Sequence, residues 1–142
     1  MKKGFTVIEL LATIIILGLI GTIGFVIFDN IIHNMRLKAY ETQKQSFLTS
    51  GESWLNDKKG TSEFPKSNEL NSETSYKLSL RRLLKEGYID KDICNQEDRV
   101  KIDYDNSYVE IIEKGKIYDY KLNIVNTEEE CKWYIHQLIM II

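Results

Sequence analysis

Glu9 is the one ionisable residue within a long apolar run. The chain begins MKKGFTVIELLATIIILGLIGTIGFVIF, and no charged residue occurs from Leu10 to Phe28. A carboxylate at membrane depth costs about 2.5–3.5 kcal/mol on insertion scales, so a partner or an interfacial position must offset it. Cys94 and Cys131 are the two cysteines, an even pair whose state follows its compartment. Arg81, Arg82 and Lys85 form a basic cluster that could touch nucleic-acid phosphates, although solvated charge on an amphipathic helix is the commoner use. Asp103, Asp105 and Asn106 invite comparison with a calcium loop. An EF-hand loop needs glycine at its sixth position and glutamate at its twelfth, where this chain has Tyr108 and Lys114. A hairpin turn accounts better for Asp105 and Asn106. His33 and His136 lie far apart without metal-ligand spacing and read as exposed or packing residues. No nucleophile motif or phosphate loop occurs. The expectation is a protein that is not an enzyme and uses no metal or cofactor.

The element that carries Glu9 sets the topology. With 142 residues the chain has room for one modest domain plus an extended element. A net charge of −2 lacks the basic excess of a dedicated polyanion binder. Heavy use of lysine, isoleucine and asparagine beside the single proline, Pro65, reads as low-GC coding bias. The uncharged run approaches the ~20 residues that span a bilayer as a helix. Lys2 and Lys3 precede it and Asp29 closes it, which keeps the N-terminus cytoplasmic and places the body outside. A cleaved secretory signal is the rival, but its apolar core is usually ~7–15 residues, and this run is longer and contains Glu9. Outside the cytoplasm the two cysteines read as a disulfide worth about 2–4 kcal/mol, tying the region before the strands to the C-terminal tail. Two free thiols are the alternative in a host without an oxidising compartment.

Helical periodicity continues past the apolar run. Ile32, Met35, Ala39, Gln43, Phe47, Gly51 and Trp54 follow three- and four-residue steps, widened by Tyr40, Leu48 and Leu55. Arg36, Lys38, Glu41, Lys44 and Glu52 take the opposite face. The pattern predicts one continuous helix to about Asn56, apolar all round in its first half and amphipathic in its second. Gly18, Gly21 and Gly24 lie near one face, where small residues let membrane helices approach closely. A polar loop, DKKGTSEFPKSNELNSETS, follows, and then KLSLRRLLKEGYI reads as a short helix with Leu78, Leu80, Leu83 and Leu84 inward and Gly87 at its stop. Three alternating segments come next, at Val100–Tyr104, Val109–Ile112 and Tyr118–Ile124, with turns at Asp105–Asn106 and Lys114–Lys116. They predict a three-stranded antiparallel meander whose one face buries the amphipathic helix. The apolar tail CKWYIHQLIMII fits a strand or a short helix equally.

A short basic leader, Gly4, Phe5 and Glu9, then a membrane-length helix running into an amphipathic one, resembles the prepilin signature of type IV pilins and pseudopilins, in a form like that of low-GC Gram-positive bacteria. The resemblance is tight over the first 28 or so residues and architectural beyond them. It implies an α+β fold, a long N-terminal helix packed on a small antiparallel sheet. The corresponding divisions are a leader at 1–4, a membrane and filament-core helix at 5–28, its amphipathic continuation at 29–57 and a globular head at 58–142. By resemblance, Gly4 precedes the bond cut by prepilin peptidase, and Phe5 becomes the methylated N-terminus. Glu9 matches the glutamate found five residues into mature pilins, Thr6 belongs to the same assembly motif, and Gly18 matches a helix-loosening glycine. A Cys94–Cys131 bridge agrees with the C-terminal loop that many pilins close in this way. Many major pilins carry a proline in the second half of the membrane segment and this chain has none, so no proline kink is expected there.

The physics of Glu9 agrees. Cleavage would create an amine at Phe5, one turn from Glu9, and the acid of one subunit could meet the amine of its neighbour and set axial register. A first-turn acid also gains from the helix dipole. The expected function is a filament subunit for adhesion, motility or surface interaction, held in the membrane before assembly and displayed at the cell surface after it. Its expected partners are other pilin subunits, prepilin peptidase, an assembly ATPase and a membrane platform protein. A pseudopilin of a competence DNA-uptake or secretion machine is the first alternative, with DNA contacted through Arg81, Arg82 and Lys85. A non-polymerising membrane-anchored module is the second, and it predicts an uncleaved chain indifferent to Glu9→Ala.

Overall fold

Helix α1, Val7–Lys58, opens where the Leu10 N–H donates to the Thr6 carbonyl at 3.1 Å. Its 52 residues contain no proline, and isoleucine and leucine are its commonest residues. The computed structural model describes residues 4–71, 74–90 and 94–131. Backbone proximity divides the chain into two units, Met1–Lys38 and Ala39–Ile142.

In the first unit the described α1 side chains are exposed all round the helix, among them Val7, Ile8, Leu17, Phe25 and Phe28. So much apolar surface is out of place in water. The helix is long and apolar enough to cross a membrane. Ile32 and Met35, expected at the head of the buried stripe, are exposed as well. Among the described residues of this unit there is no second element to cover them.

Burial begins in the second unit, at Gln43, and continues through Phe47, Gly51, Trp54 and Leu55. These residues follow the three- and four-residue steps of one helix face. They join Leu78, Leu80, Leu83, Ile102, Tyr104, Val109 and Ile111 in the core. Trp54 stacks on Tyr76 with centroids 5.8 Å apart, and Phe47 meets Tyr104 edge-on at 6.3 Å. The architecture is α+β, with the long N-terminal helix packed on a small antiparallel sheet.

That sheet has the order β1-β3-β4, built from β1 Tyr76–Ser79, β3 Tyr108–Lys114 and β4 Ile117–Asn123. The β3–β4 hairpin forms as the alternation predicts, with Lys114 opposite Ile117 and a two-residue loop whose Gly115 has φ +67°. Two expectations are corrected. The segment Lys77–Ser79, expected to open the helix, is strand: Leu78 pairs with Val109 in β3, and helix α2 is only Leu80–Lys85. The Ser79 hydroxyl accepts the Arg82 N–H at 3.2 Å and so caps α2 where the strand ends. Gly87, at φ +84°, ends it as expected, with the Tyr88 N–H donating back to the Leu83 carbonyl.

The second correction concerns the meander. Strand β2, Val100–Ile102, does not pair with β3 but with β5, Asn126–Glu130, in a separate two-stranded sheet. The reason lies at Asp103. Its carboxylate accepts the N–H groups of Asp105 and Asn106, and its carbonyl accepts the Ser107 N–H at 2.8 Å. The Asp103 N–H donates to the Val125 carbonyl at 2.8 Å and the Ser107 hydroxyl accepts the Val125 N–H at 2.9 Å, so both ends of this turn are tied to the chain entering β5. The long loop between α1 and β1 is held by packing. Leu70 is buried and its carbonyl accepts the Glu113 N–H, while Phe64 meets Tyr118 edge-on at 6.5 Å.

Candidate functional site

Gly4 and Phe5 precede α1 without regular structure, and both are exposed. Thr6 and Glu9 then close a reciprocal cap. The Thr6 hydroxyl accepts the Glu9 N–H at 3.4 Å. Glu9 Oε2 accepts the Thr6 backbone N–H at 2.9 Å and its hydroxyl at 3.0 Å. This is a capping box, which satisfies donors that a helix start otherwise leaves open. The Thr-x-x-Glu spacing that signals it is legible in the sequence, although the resemblance alone had drawn attention to Thr6. Both side-chain bonds use Oε2, and Oε1 accepts none from the described residues.

The rest of the apolar half hides its few polar groups. The hydroxyls of Thr13 and Thr22 donate to the carbonyls of Leu10 and Leu19 at 2.7 and 2.8 Å. Internal satisfaction of this kind is what a hydrocarbon environment demands. A Cβ built on Gly18, Gly21 or Gly24 would meet nothing within 4 Å, so this flank of the helix is open to another chain or to lipid. The surface therefore combines one outward-available carboxylate oxygen with an uninterrupted apolar face.

No family model, curated protein or solved structure matches the chain. The chemistry of the site has to carry the reading.

In the second unit, Arg81 donates to Asp105 through Nε at 3.1 Å and through its terminal nitrogen at 3.3 Å, and it lies over the Tyr104 ring. Arg82 donates to Glu86 at 2.7 Å and to the Tyr76 hydroxyl at 3.0 Å, and it covers the Trp54 ring at 4.9 Å. Glu86 also accepts from Trp54 Nε1 at 3.0 Å and pairs with Lys58 at 3.2 Å. Burial acts to raise the Glu86 carboxyl, but the bonds from Arg82, Lys58 and Trp54 outweigh it and hold the group below its ordinary range. Lys85 is exposed and carries no ion pair among the described residues. The expected basic cluster is thus brought together on α2, with both arginines already matched by carboxylates.

Cys94 and Cys131 form a disulfide, with Cα atoms 6.3 Å apart. Its position is fixed from α1, a contact the sequence reading missed. Gln43, on the buried stripe, donates from Nε2 to the Cys94 carbonyl at 2.8 Å and accepts the Gln96 N–H at 3.3 Å. Asp103 is held below the ordinary carboxylate range by bonds from the Asn106 side chain and from backbone N–H groups, so its lone pairs serve the turn. Among the described residues no three His, Cys, Asp or Glu are placed to hold one metal ion. His33 is exposed on α1. His136 and the tail at 132–142, expected as strand or helix, lie outside the described residues.

Proposed function

We propose that the chain is a type IV pilin-like structural subunit, processed after Gly4, methylated at Phe5 and assembled into an extracellular filament. One observation carries the reading. An exposed Gly4–Phe5 bond stands directly before a capped helix start whose single acid, Glu9, opens a membrane-length apolar surface. Cleavage there frees an amine beside a carboxylate whose Oε1 is still available. In a staggered bundle, that oxygen can take the amine of the next subunit while Oε2 keeps the cap closed. The apolar face leaves lipid for the faces of neighbouring helices, and Gly18, Gly21 and Gly24 let them approach closely.

The subunit's work is assembly, not catalysis. Before assembly it is a single-pass membrane protein with its head outside. Its partners are other subunits, prepilin peptidase, an assembly ATPase and a membrane platform protein. The DNA-uptake alternative draws less support, because Arg81 and Arg82 are each matched by a carboxylate in the head. Intact-mass measurement of the chain in shed filaments tests the proposal. The expected species lacks Met1–Gly4 and carries one methyl group at Phe5. A chain that retains its leader overturns the reading and favours the non-polymerising anchor.

A further inference from the structure

Among the described residues three polar side chains are buried, Gln43, Asn95 and Ser107, and all three fasten the two-stranded sheet. No ladder joins β2 or β5 to the three-stranded sheet. Asn95 Oδ1 accepts the Glu97 and Asp98 N–H groups at 2.8 and 3.3 Å, and its Nδ2 donates to Asn126 Oδ1 at 3.1 Å. It therefore shapes the turn before β2 and holds that turn to β5. Ser107 ties the chain entering β5 to the start of β3. Gln43 is the polar member of the buried α1 stripe, otherwise Phe47, Gly51, Trp54 and Leu55. A buried amide in such a place destabilises unless its hydrogen bonds are met. Gln43 meets them at the cysteine end, on the Cys94 carbonyl through Nε2 and the Gln96 N–H through Oε1.

We propose that Gln43 makes closure of the Cys94–Cys131 bridge conditional on docking of α1, so that the head locks its two-stranded sheet only once the helix is seated. With a glutathione disulfide as oxidant, the thiolate of one cysteine attacks it, forms a mixed disulfide and expels one glutathione thiolate. The second cysteine thiolate then attacks the protein sulfur of that mixed disulfide and expels the other. Two protein thiols lose two protons and two electrons, and one glutathione disulfide becomes two thiols. The second step is intramolecular, so it depends on how often the two sulfurs meet. Cys131 is placed by its N–H, which donates to the Arg99 carbonyl at 2.9 Å. Cys94 is placed by its pairing with Lys101 and by Gln43. The turn's own bonds set its shape, and Gln43 is the side chain that holds its cysteine end to α1. Coupling of this kind is reciprocal, so the closed bridge also tightens α1 where Gln43 stands. The proposal does not rest on the filament reading, which the mass of the mature chain tests separately.

The test uses the full chain in detergent micelles, equilibrated with mixtures of reduced and oxidised glutathione, the bridged and reduced forms being separated after alkylation. Gln43→Met keeps the length of the side chain and suits the apolar stripe while removing both bonds. It is expected to lower the equilibrium constant for bridging about tenfold, the effect of two lost hydrogen bonds, with native near-UV circular dichroism in the oxidised chain. In urea beyond the unfolding transition, where α1 is undocked, variant and wild type are expected to bridge equally. A second measurement needs no substitution: reducing the wild-type chain is expected to speed hydrogen exchange of the α1 amides around Gln43. Equal bridging of variant and wild type without urea would overturn the proposal and leave closure to the Asn95 turn alone. So would a difference that persists in urea, or α1 amides around Gln43 that are indifferent to the state of the bridge.

Discussion

Gly51 sits where α1 comes closest to the sheet, and its replacement gives a worked test of the packing. A Cβ at position 51 would lie 2.9 Å from Val109 Cγ1 and 3.3 Å from both Cβ and Cγ2 of the same residue. Two opposed terms follow from Gly51→Ala. The helix gains about 1 kcal/mol from replacing an interior glycine. The added methyl group overpacks a closed site, at a cost of about 1–3 kcal/mol. Val109 is fully buried and its branched side chain cannot swing clear, so the second term wins and the expected net loss is about 1 kcal/mol. The assay is urea unfolding of the full chain in micelles, read by the fluorescence of the buried Trp54. Val109→Ala alone should cost more, because it opens a cavity in the core. The double variant should recover at least about 1 kcal/mol relative to the sum, since the new methyl group fills part of that cavity. A Gly51→Ala chain stabilised by the full helical gain would refute the close approach of α1 to β3.

Replacing both Cys94 and Cys131 by serine, which removes a bridge between residues 37 apart, should cost about 3–4 kcal/mol by loop-closure entropy. Hydrogen exchange should then show the loss centred on β2 and β5, because two short strands are marginal by themselves. Glu86 predicts an acid limb of stability. Its carboxyl lies below its ordinary value when folded, so its contribution is complete above the unfolded pKa and is lost as pH falls through the folded one. Glu86→Gln should flatten that limb in acid unfolding followed by Trp54 fluorescence, and an unchanged limb would place its origin elsewhere.

The sequence showed α1 and the β3–β4 hairpin clearly, because each repeats its own period over many residues. It marked Phe47, Gly51, Trp54 and Leu55 as one face for the same reason. Periodicity says which side of a helix is apolar, not whether anything covers it, and so Ile32 and Met35 were placed in a stripe that is buried only from Gln43 onward. The segment KLSLRRLLK carries both periods at once: Leu78 and Leu80 are two apart, while Leu80, Leu83 and Leu84 have helical spacing. Pairing of Leu78 with Val109, thirty-one residues away, decides between them, and no local window contains that information. Strand β5 is NTEEE, with no apolar residue to mark it. It is a strand because β2 and the Cys94–Cys131 bridge hold it there.

Glu9 was legible as an anomaly before it was legible as a structure. An acid in an apolar helix demands a partner, and the proposed processing would supply one, the amine of Phe5. The structure adds a partner already present, Thr6, whose backbone N–H and hydroxyl both reach Oε2. The two assignments divide the carboxylate between them. An acid that capped its own helix with both oxygens would have little left for a neighbour, and one that capped with neither would enter a membrane unsatisfied. With Oε2 bonded to Thr6, the Glu9 side chain is held in one orientation within its own helix. In the proposed filament, an incoming amine would then require no further ordering of that side chain, which is where much of the cost of forming an ion pair otherwise lies.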